Sequence, residues 1–250
     1  MRLRSILTGL FAAFAFSTPL LASGSESARL SILGFSKDGA SFAYEQFGVV
    51  GPERFPYSDL QIIDTKTGLP VQGAPFRAAF SKAAPTASEA RSVAYNAAAR
   101  TLRRLGIGEK GTVIARGSGD PNDKASTEIP VTIDTIGSGT LVIDNFKTMS
   151  KECSSLKIPA VGLRVDIKDS SGTVLRRLVN LPKITPDLFC PLGYGLVDLR
   201  AFPREGKAPV LAMLLARTVP RPGGSERVFQ AHVIDLADEA LPTEEKKSGH

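Results

Sequence analysis

Apolar residues occur along this chain in short runs, punctuated by Gly, Asp, Asn, Ser and Pro, and this rhythm predicts a succession of antiparallel strands. Arg29–Phe35 and Ala40–Gln46 flank Lys37–Asp38–Gly39. An Asp-Gly pair between two such runs favours a hairpin, because Gly accepts the positive φ of the tight turn. Leu60–Asp64 is the next strand, and Thr65–Gly68 turns into Leu69–Val71. Between them, residues 47–58 contain Gly48, Gly51, Pro52 and Pro56. We expect a long connection there, restrained by Pro56 and carrying three candidate binding aromatics, Phe47, Phe55 and Tyr57. The competing expectation is that these rings fold back on the sheet.

The period then changes. Thr86 and Glu89 stand at the spacing of a capping box, Ser88–Leu105 lacks Gly and Pro, and Gly106 is placed to stop a helix. Ala94, Ala98, Leu102 and Leu105 share one face, with Arg100, Arg103 and Arg104 towards the other. Arg91 breaks the pattern, since it falls at the edge of the apolar stripe near the helix start. Either its stem packs while its head reaches water, or it meets a buried carboxylate.

Strand patterns return at Thr112–Arg116 and Leu196–Phe202. Three hairpins are predicted: Ile129–Thr135 with Thr140–Phe146, Val161–Ile167 with Val174–Asn180, and Val210–Ala216 with Arg227–Leu236. The expected fold class is α+β, β-rich antiparallel hairpins with one principal helix over about 86–105.

The chain opens with an export pattern. Arg2 and Arg4 precede the apolar run Ile6–Phe16, a break at Ser17–Pro19 and small residues up to Gly24. We place cleavage after Gly24, with Ala22 as the alternative; the run is short for a membrane anchor. The expected organisation is a signal peptide over 1–24, one β-rich secreted domain over 25–237 and a loose charged tail over 238–250, with no membrane span in the mature chain. Cys153 and Cys190 are the only cysteines, and an even count in an exported chain suggests a disulfide; two separate buried thiols are the other reading. The formal charge of +6 includes Arg2 and Arg4, so the mature chain is mildly basic, and no nucleic-acid motif accompanies it.

Candidate chemistry is sparse. The chain has no G-x-S-x-G elbow, and its only histidines are His232, in the middle of a strand, and His250 at the end. Gly106-x-Gly108-x-x-Gly111 matches a dinucleotide pattern but follows a helix, where that pattern requires a strand. Asp120–Pro121–Asn122–Asp123 resembles half a calcium loop, without the glycine and distal glutamate such a loop needs. No metal or cofactor is expected, and no catalytic residue is assigned.

Phe35–Gly39 with Phe42–Tyr44 and Ile62–Gly68 resembles a TolB-type propeller blade. Leu33–Gly48 followed by Phe55–Asp64 is similar to the DUF2259 family of predicted secreted bacterial proteins, more loosely beyond residue 105. That resemblance implies export and a shared fold, and carries no activity. The expected location is periplasmic or secreted. The expected function is a non-catalytic binding or envelope-interaction module, whose partner is an envelope protein or a small ligand. The alternative is a periplasmic hydrolase using paired carboxylates.

Overall fold

The computed structural model describes residues 28–51, 53–81, 85–120, 126–184, 190–221 and 224–237. The export segment, the 238–250 tail and most of the Asp120–Asp123 turn lie outside them. Twelve strands form three four-stranded antiparallel sheets. The first sheet is a meander of β1 (Arg29–Phe35), β2 (Ser41–Val50), β3 (Phe55–Asp64) and β4 (Phe76–Ala79). Helix α1 (Ala87–Leu105) follows, then β5 (Thr112–Arg116). A second meander comprises β6 (Ser126–Ile133), β7 (Gly137–Thr148), β8 (Ala160–Lys168) and β9 (Val174–Leu181), with the short helix α2 (Lys151–Ser155) between β7 and β8. The third sheet runs β12 (Gly224–Asp235), β11 (Lys207–Arg221), β10 (Gly193–Arg204), β5.

The third sheet lies in the middle of the stack. On β11, Val210, Ala212, Leu214 and Ala216 pack with Phe35, Phe42 and Tyr44 of the first sheet. The alternate residues Leu211, Met213 and Leu215 pack with Leu141, Ile143, Val165 and Ile167 of the β6–β9 sheet. All seven are fully buried, so a strand covered on both faces reads as one continuous apolar run, VLAMLLA. Helix α1 covers the outer face of the first sheet through Ala98, Leu102 and Leu105 against Ala43, Leu60 and Ile62.

The helix forms as its sequence predicts. The Thr86 hydroxyl accepts from the Glu89 amide, the Glu89 carboxylate accepts from the Thr86 amide, and Gly106 ends the helix at φ 62°. The other glycines of the dinucleotide-like pattern carry the chain away. Gly108 and Glu109 donate backbone hydrogen bonds to Phe35 O, and Gly111 packs so closely on Ala201 that a Cβ would stand 2.8 Å from its carbonyl oxygen. Cys153, on α2, is joined to Cys190, with Cα atoms 5.5 Å apart.

Three expectations are corrected. Residues 47–58 do not form a long connection. β2 extends to Val50 and β3 begins at Phe55, paired Phe47↔Ser58, Gly48↔Tyr57 and Val50↔Phe55. The breakers are absorbed by their positions. Pro56 lacks an N–H on the side where β4 has already ended, and its carbonyl accepts from Phe80 N beyond that end. Gly48 sits opposite Tyr57, whose ring would lie 3.9 Å from a Cβ there. The other two corrections are omissions: β4 and α2 were missed, being four and five residues long. The first sheet is an up-and-down meander, a shape blades share with many antiparallel sheets; the central sheet stacks on it and the β6–β9 sheet on the far side of the central one. The blade resemblance is carried no further than that.

Candidate functional site

Two features have the makings of a site. The first is a cleft where the edges of two sheets converge. Among the described residues β5 pairs only with β10 and β6 only with β7, so each strand has one edge outside any described ladder, and these two strands adjoin. The cleft between them has a volume of about 640 Å³. Its apolar lining comes from Val113, Ile114, Val131, Ile133 and Ala201, with Pro130, Pro203 and Pro209 around it. Its polar groups are neutral apart from Asp134, and the Thr132 and Ser138 hydroxyls lie 3.1 Å apart at the rim. Pro130 sits mid-strand on β6, a residue type tolerated at a sheet edge because no ladder needs its missing N–H.

The second feature is a buried ion-pair junction under α1. Ala43, Glu45 and Phe47 point from β2 towards the helix. Glu45 is fully buried and receives three hydrogen bonds from Arg91, Nε to Oε1 at 2.9 Å, Nε to Oε2 at 3.1 Å and Nη2 to Oε2 at 2.8 Å. The Ser58 hydroxyl donates to Oε1 at 2.9 Å. The guanidinium lies 3.9 Å above the Phe47 ring and 5.9 Å from Tyr95. Bonding to Glu45 holds the Arg91 pKa above its ordinary value. This arrangement answers the Arg91 question: the helix cation meets a buried carboxylate. The sequence signal was a lone Glu45 inside the apolar run FAYEQF, which alternation places on the helix-facing side.

The three candidate aromatics are not brought together. Phe47 belongs to the helix side of the first sheet, stacked under Arg91. Phe55 and Tyr57 stand opposite Val50 and Gly48 and so point to the other side, where Tyr57 packs against the core shared with the central sheet. Burial pushes the Tyr57 hydroxyl pKa up, with Glu226 and Asp59 adding to it. No candidate aromatic lines the cleft.

Several further carboxylates are held in ion pairs. Asp166 accepts from Arg177 at 2.8 and 3.2 Å, Asp198 from Arg200 at 2.6 and 3.1 Å, and Asp235 from Arg204. Asp59 is the carboxylate whose pKa is raised, by burial, with Arg77, Gln46 and Gln61 opposing. His232 contacts Gln230 at 3.1 Å, and burial lowers its pKa to about 4, so it is neutral and structural in neutral solution. Among the described residues no group of three or more His, Cys, Asp or Glu is placed to hold a metal ion, and no helix is long and apolar enough to cross a membrane.

The family model described as "Predicted secreted protein (DUF2259)" matches residues 43–229. No curated protein and no solved structure matches the chain. The match spans β2 to β12, and so takes in both the cleft and the Glu45–Arg91 junction, and a periplasmic or secreted location agrees with its description. Covering well over half of the 250 residues, it shows that this chain belongs to the DUF2259 family of predicted secreted proteins.

Proposed function

We propose that the protein is a non-catalytic exported binding module whose ligand is a short, mostly apolar extended segment held between β5 and β6. The observation that carries this reading is the convergence of two sheet edges over one cleft. Edge strands offer backbone N–H and C=O groups to an added strand, and apolar pockets beside them receive alternate side chains. The volume is in the range of small-ligand sites. The lining supplies one carboxylate and no nucleophile–base set, so it supports holding a ligand and offers little to a hydrolytic step. The hydrolase alternative gains no support from the buried acids Glu45, Asp166 and Asp198 or from Asp235, each of which faces an arginine.

The test is amide-resolved NMR of the exported protein titrated with a panel of apolar tetrapeptides. Saturable shifts confined to Thr112–Ile114 and Val131–Ile133 are expected, and Val113→Trp, which fills the cleft from a part-exposed position, abolishes them. Shifts elsewhere, or none with any peptide, overturn the reading.

A further inference from the structure

At the opposite end of the strands from the cleft, the molecule presents a surface that the binding reading does not use. β7 ends at Thr148, and the chain passes through α2 before β8 begins at Ala160. The Thr148 hydroxyl donates to Pro182 O at 2.6 Å, and the Cys153–Cys190 bond fixes α2 to the segment that starts β10. Ile158 and Ile184 pack around the disulfide. Three large apolar side chains project from this base: Met149 at 92% exposure, Leu156 at 64% and Leu192 at 40%. They account for three of the seven exposed large hydrophobics among the described residues. Lys147, Lys151 and Lys157 lie within two residues of Met149 or Leu156 along the chain, and Lys183 follows Pro182, which Thr148 bonds; all four are exposed. The one acid of α2, Glu152, accepts a hydrogen bond from Ser150 and lies in the field of Lys151.

We propose that this end is a docking surface for an anionic phospholipid bilayer. Protruding aliphatic side chains enter the boundary between headgroups and acyl chains, and lysines around them meet the negative surface. A protein partner is the less suitable occupant, because protein interfaces are depleted in lysine and enriched in arginine, aromatic residues and methionine, and of these enriched types the described residues of this patch hold Met149 alone, beside four lysines. The disulfide gives the patch a rigid base, so little order has to be gained on docking. β7 spans the distance from the cleft to the patch with 12 residues, roughly 40 Å at about 3.4 Å per residue. A protein docked through α2 therefore holds its cleft away from the bilayer.

The chain contains no Trp, so a single introduced Trp reports insertion without background. The exported protein is mixed with vesicles of phosphatidylcholine alone or with an equal share of phosphatidylglycerol, at low salt and at high salt. Sedimentation with the anionic vesicles only, weakened at high salt, is expected, together with a blue shift of Leu156→Trp fluorescence. Met149→Glu with Leu156→Glu should weaken binding at least tenfold, while Leu69→Glu, at an exposed leucine in the turn after β3, leaves it unchanged. If the double variant does not fold, Lys147→Gln with Lys157→Gln and Lys183→Gln makes the same test through charge. Equal binding to neutral vesicles, no binding to anionic ones, or capture of a protein by the patch with no lipid binding would overturn the proposal. Peptide shifts at β5 and β6 are read separately, so failure here leaves the cleft reading standing, and the reverse.

Discussion

The two outer sheets solve one problem in different ways. Each packs an inner face on the central sheet and must dispose of an outer face. The first sheet covers its outer face with α1, which seals Leu60, Ile62 and Ala43 from water. The cost is one buried charge, Glu45, answered by Arg91 from the helix and Ser58 from β3. Among the described residues the β6–β9 sheet has no helix there. Its outer face is a lattice of long polar side chains in which Arg177 lies over Asp166 and Arg164 stacks 5.4 Å from Phe146. Asp166 and Arg177 are only 3% and 9% exposed, so arginine stems do for this sheet what a helix does for the other. The lesson is that a sheet face can be closed by an element or by side-chain length, and the central strand cannot tell the difference.

The comparison is tested most severely at the centre. Leu214→Ala opens a hole towards the first sheet and Leu215→Ala one towards the β6–β9 sheet; both are fully buried. If the two interfaces are equally close-packed, each should lower unfolding free energy by about 4 kcal/mol. A difference above about 2 kcal/mol in urea melts would mean that one interface collapses around the hole and the other does not. Next come the two ion pairs. Arg177→Ala strands Asp166 on a face with no alternative cover and should cost about 3 kcal/mol. Arg91→Ala should cost less, about 2 kcal/mol, because the Arg91 side chain is 35% exposed and Ser58 still bonds Glu45. Equal losses would break the distinction between a helix-covered and an arginine-covered face.

How much of this was legible follows from length and locality. The helix was readable to its caps because Thr86, Glu89 and Gly106 act within one turn of the backbone they satisfy. The paired hairpins were readable from turn chemistry, and the disulfide from cysteine number. The β2–β3 hairpin was misread because Gly48 and Pro56 signal a break locally, and only the end of β4 makes Pro56 harmless. The placement of the aromatic trio was not legible for the same reason: a loop would have gathered Phe47, Phe55 and Tyr57, whereas strands divide them between faces. The Glu45 partner of Arg91 was half legible, as a need without an address. The cleft was not legible, because it exists only where β5 and β6, from different sheets, meet edge to edge.

Two side-chain amides, Gln46 buried and Asn145 half-buried, sharpen the contrast at the next level down. Gln46 Oε1 accepts from Phe229 N at 3.0 Å, joining the first sheet to β12. Asn145 joins the β6–β9 sheet to β10 from both sides of its amide, with Nδ2 donating to Tyr194 O at 3.0 Å and Oδ1 accepting from Tyr194 N at 2.8 Å. Replacement by Leu frees one backbone group of the central sheet in the first case, besides removing the 3.4 Å bond from Gln46 Nε2 to Asp59 Oδ2, and two in the second. We expect Gln46→Leu to cost about 1 kcal/mol and Asn145→Leu about 2, each leaving backbone groups of the central sheet unsatisfied. Loss of stability in the opposite order would show that water reaches Tyr194 more easily than Phe229.

The smallest effect separates the two interfaces by pH. His232 is paired with Met213 on β12, which places it on the side facing the β6–β9 sheet. Burial lowers its folded pKa to about 4 from an ordinary 6.5. Between these values the unfolded chain binds a proton that the folded chain refuses. Stability is therefore complete above pH 6.5 and declines as pH falls towards 4. The other side of the central sheet behaves oppositely: the raised pKa of Asp59 makes the folded chain take up a proton sooner, which favours folding as pH falls. Carboxylates with lowered values, such as Asp38 and Asp235, lose their contributions only below the ordinary carboxylate range. Between pH 6.5 and 5 His232 disfavours folding while the raised Asp59 opposes it, so removal of the imidazole is what singles out His232. Its contribution there should be about 1 kcal/mol after allowance for part exposure, and His232→Gln, which cannot titrate, should flatten the melting profile across that interval. A variant that keeps the wild-type slope would remove His232 as the acid-sensitive point of the inner interface and shift attention to the arginine-covered face outside it.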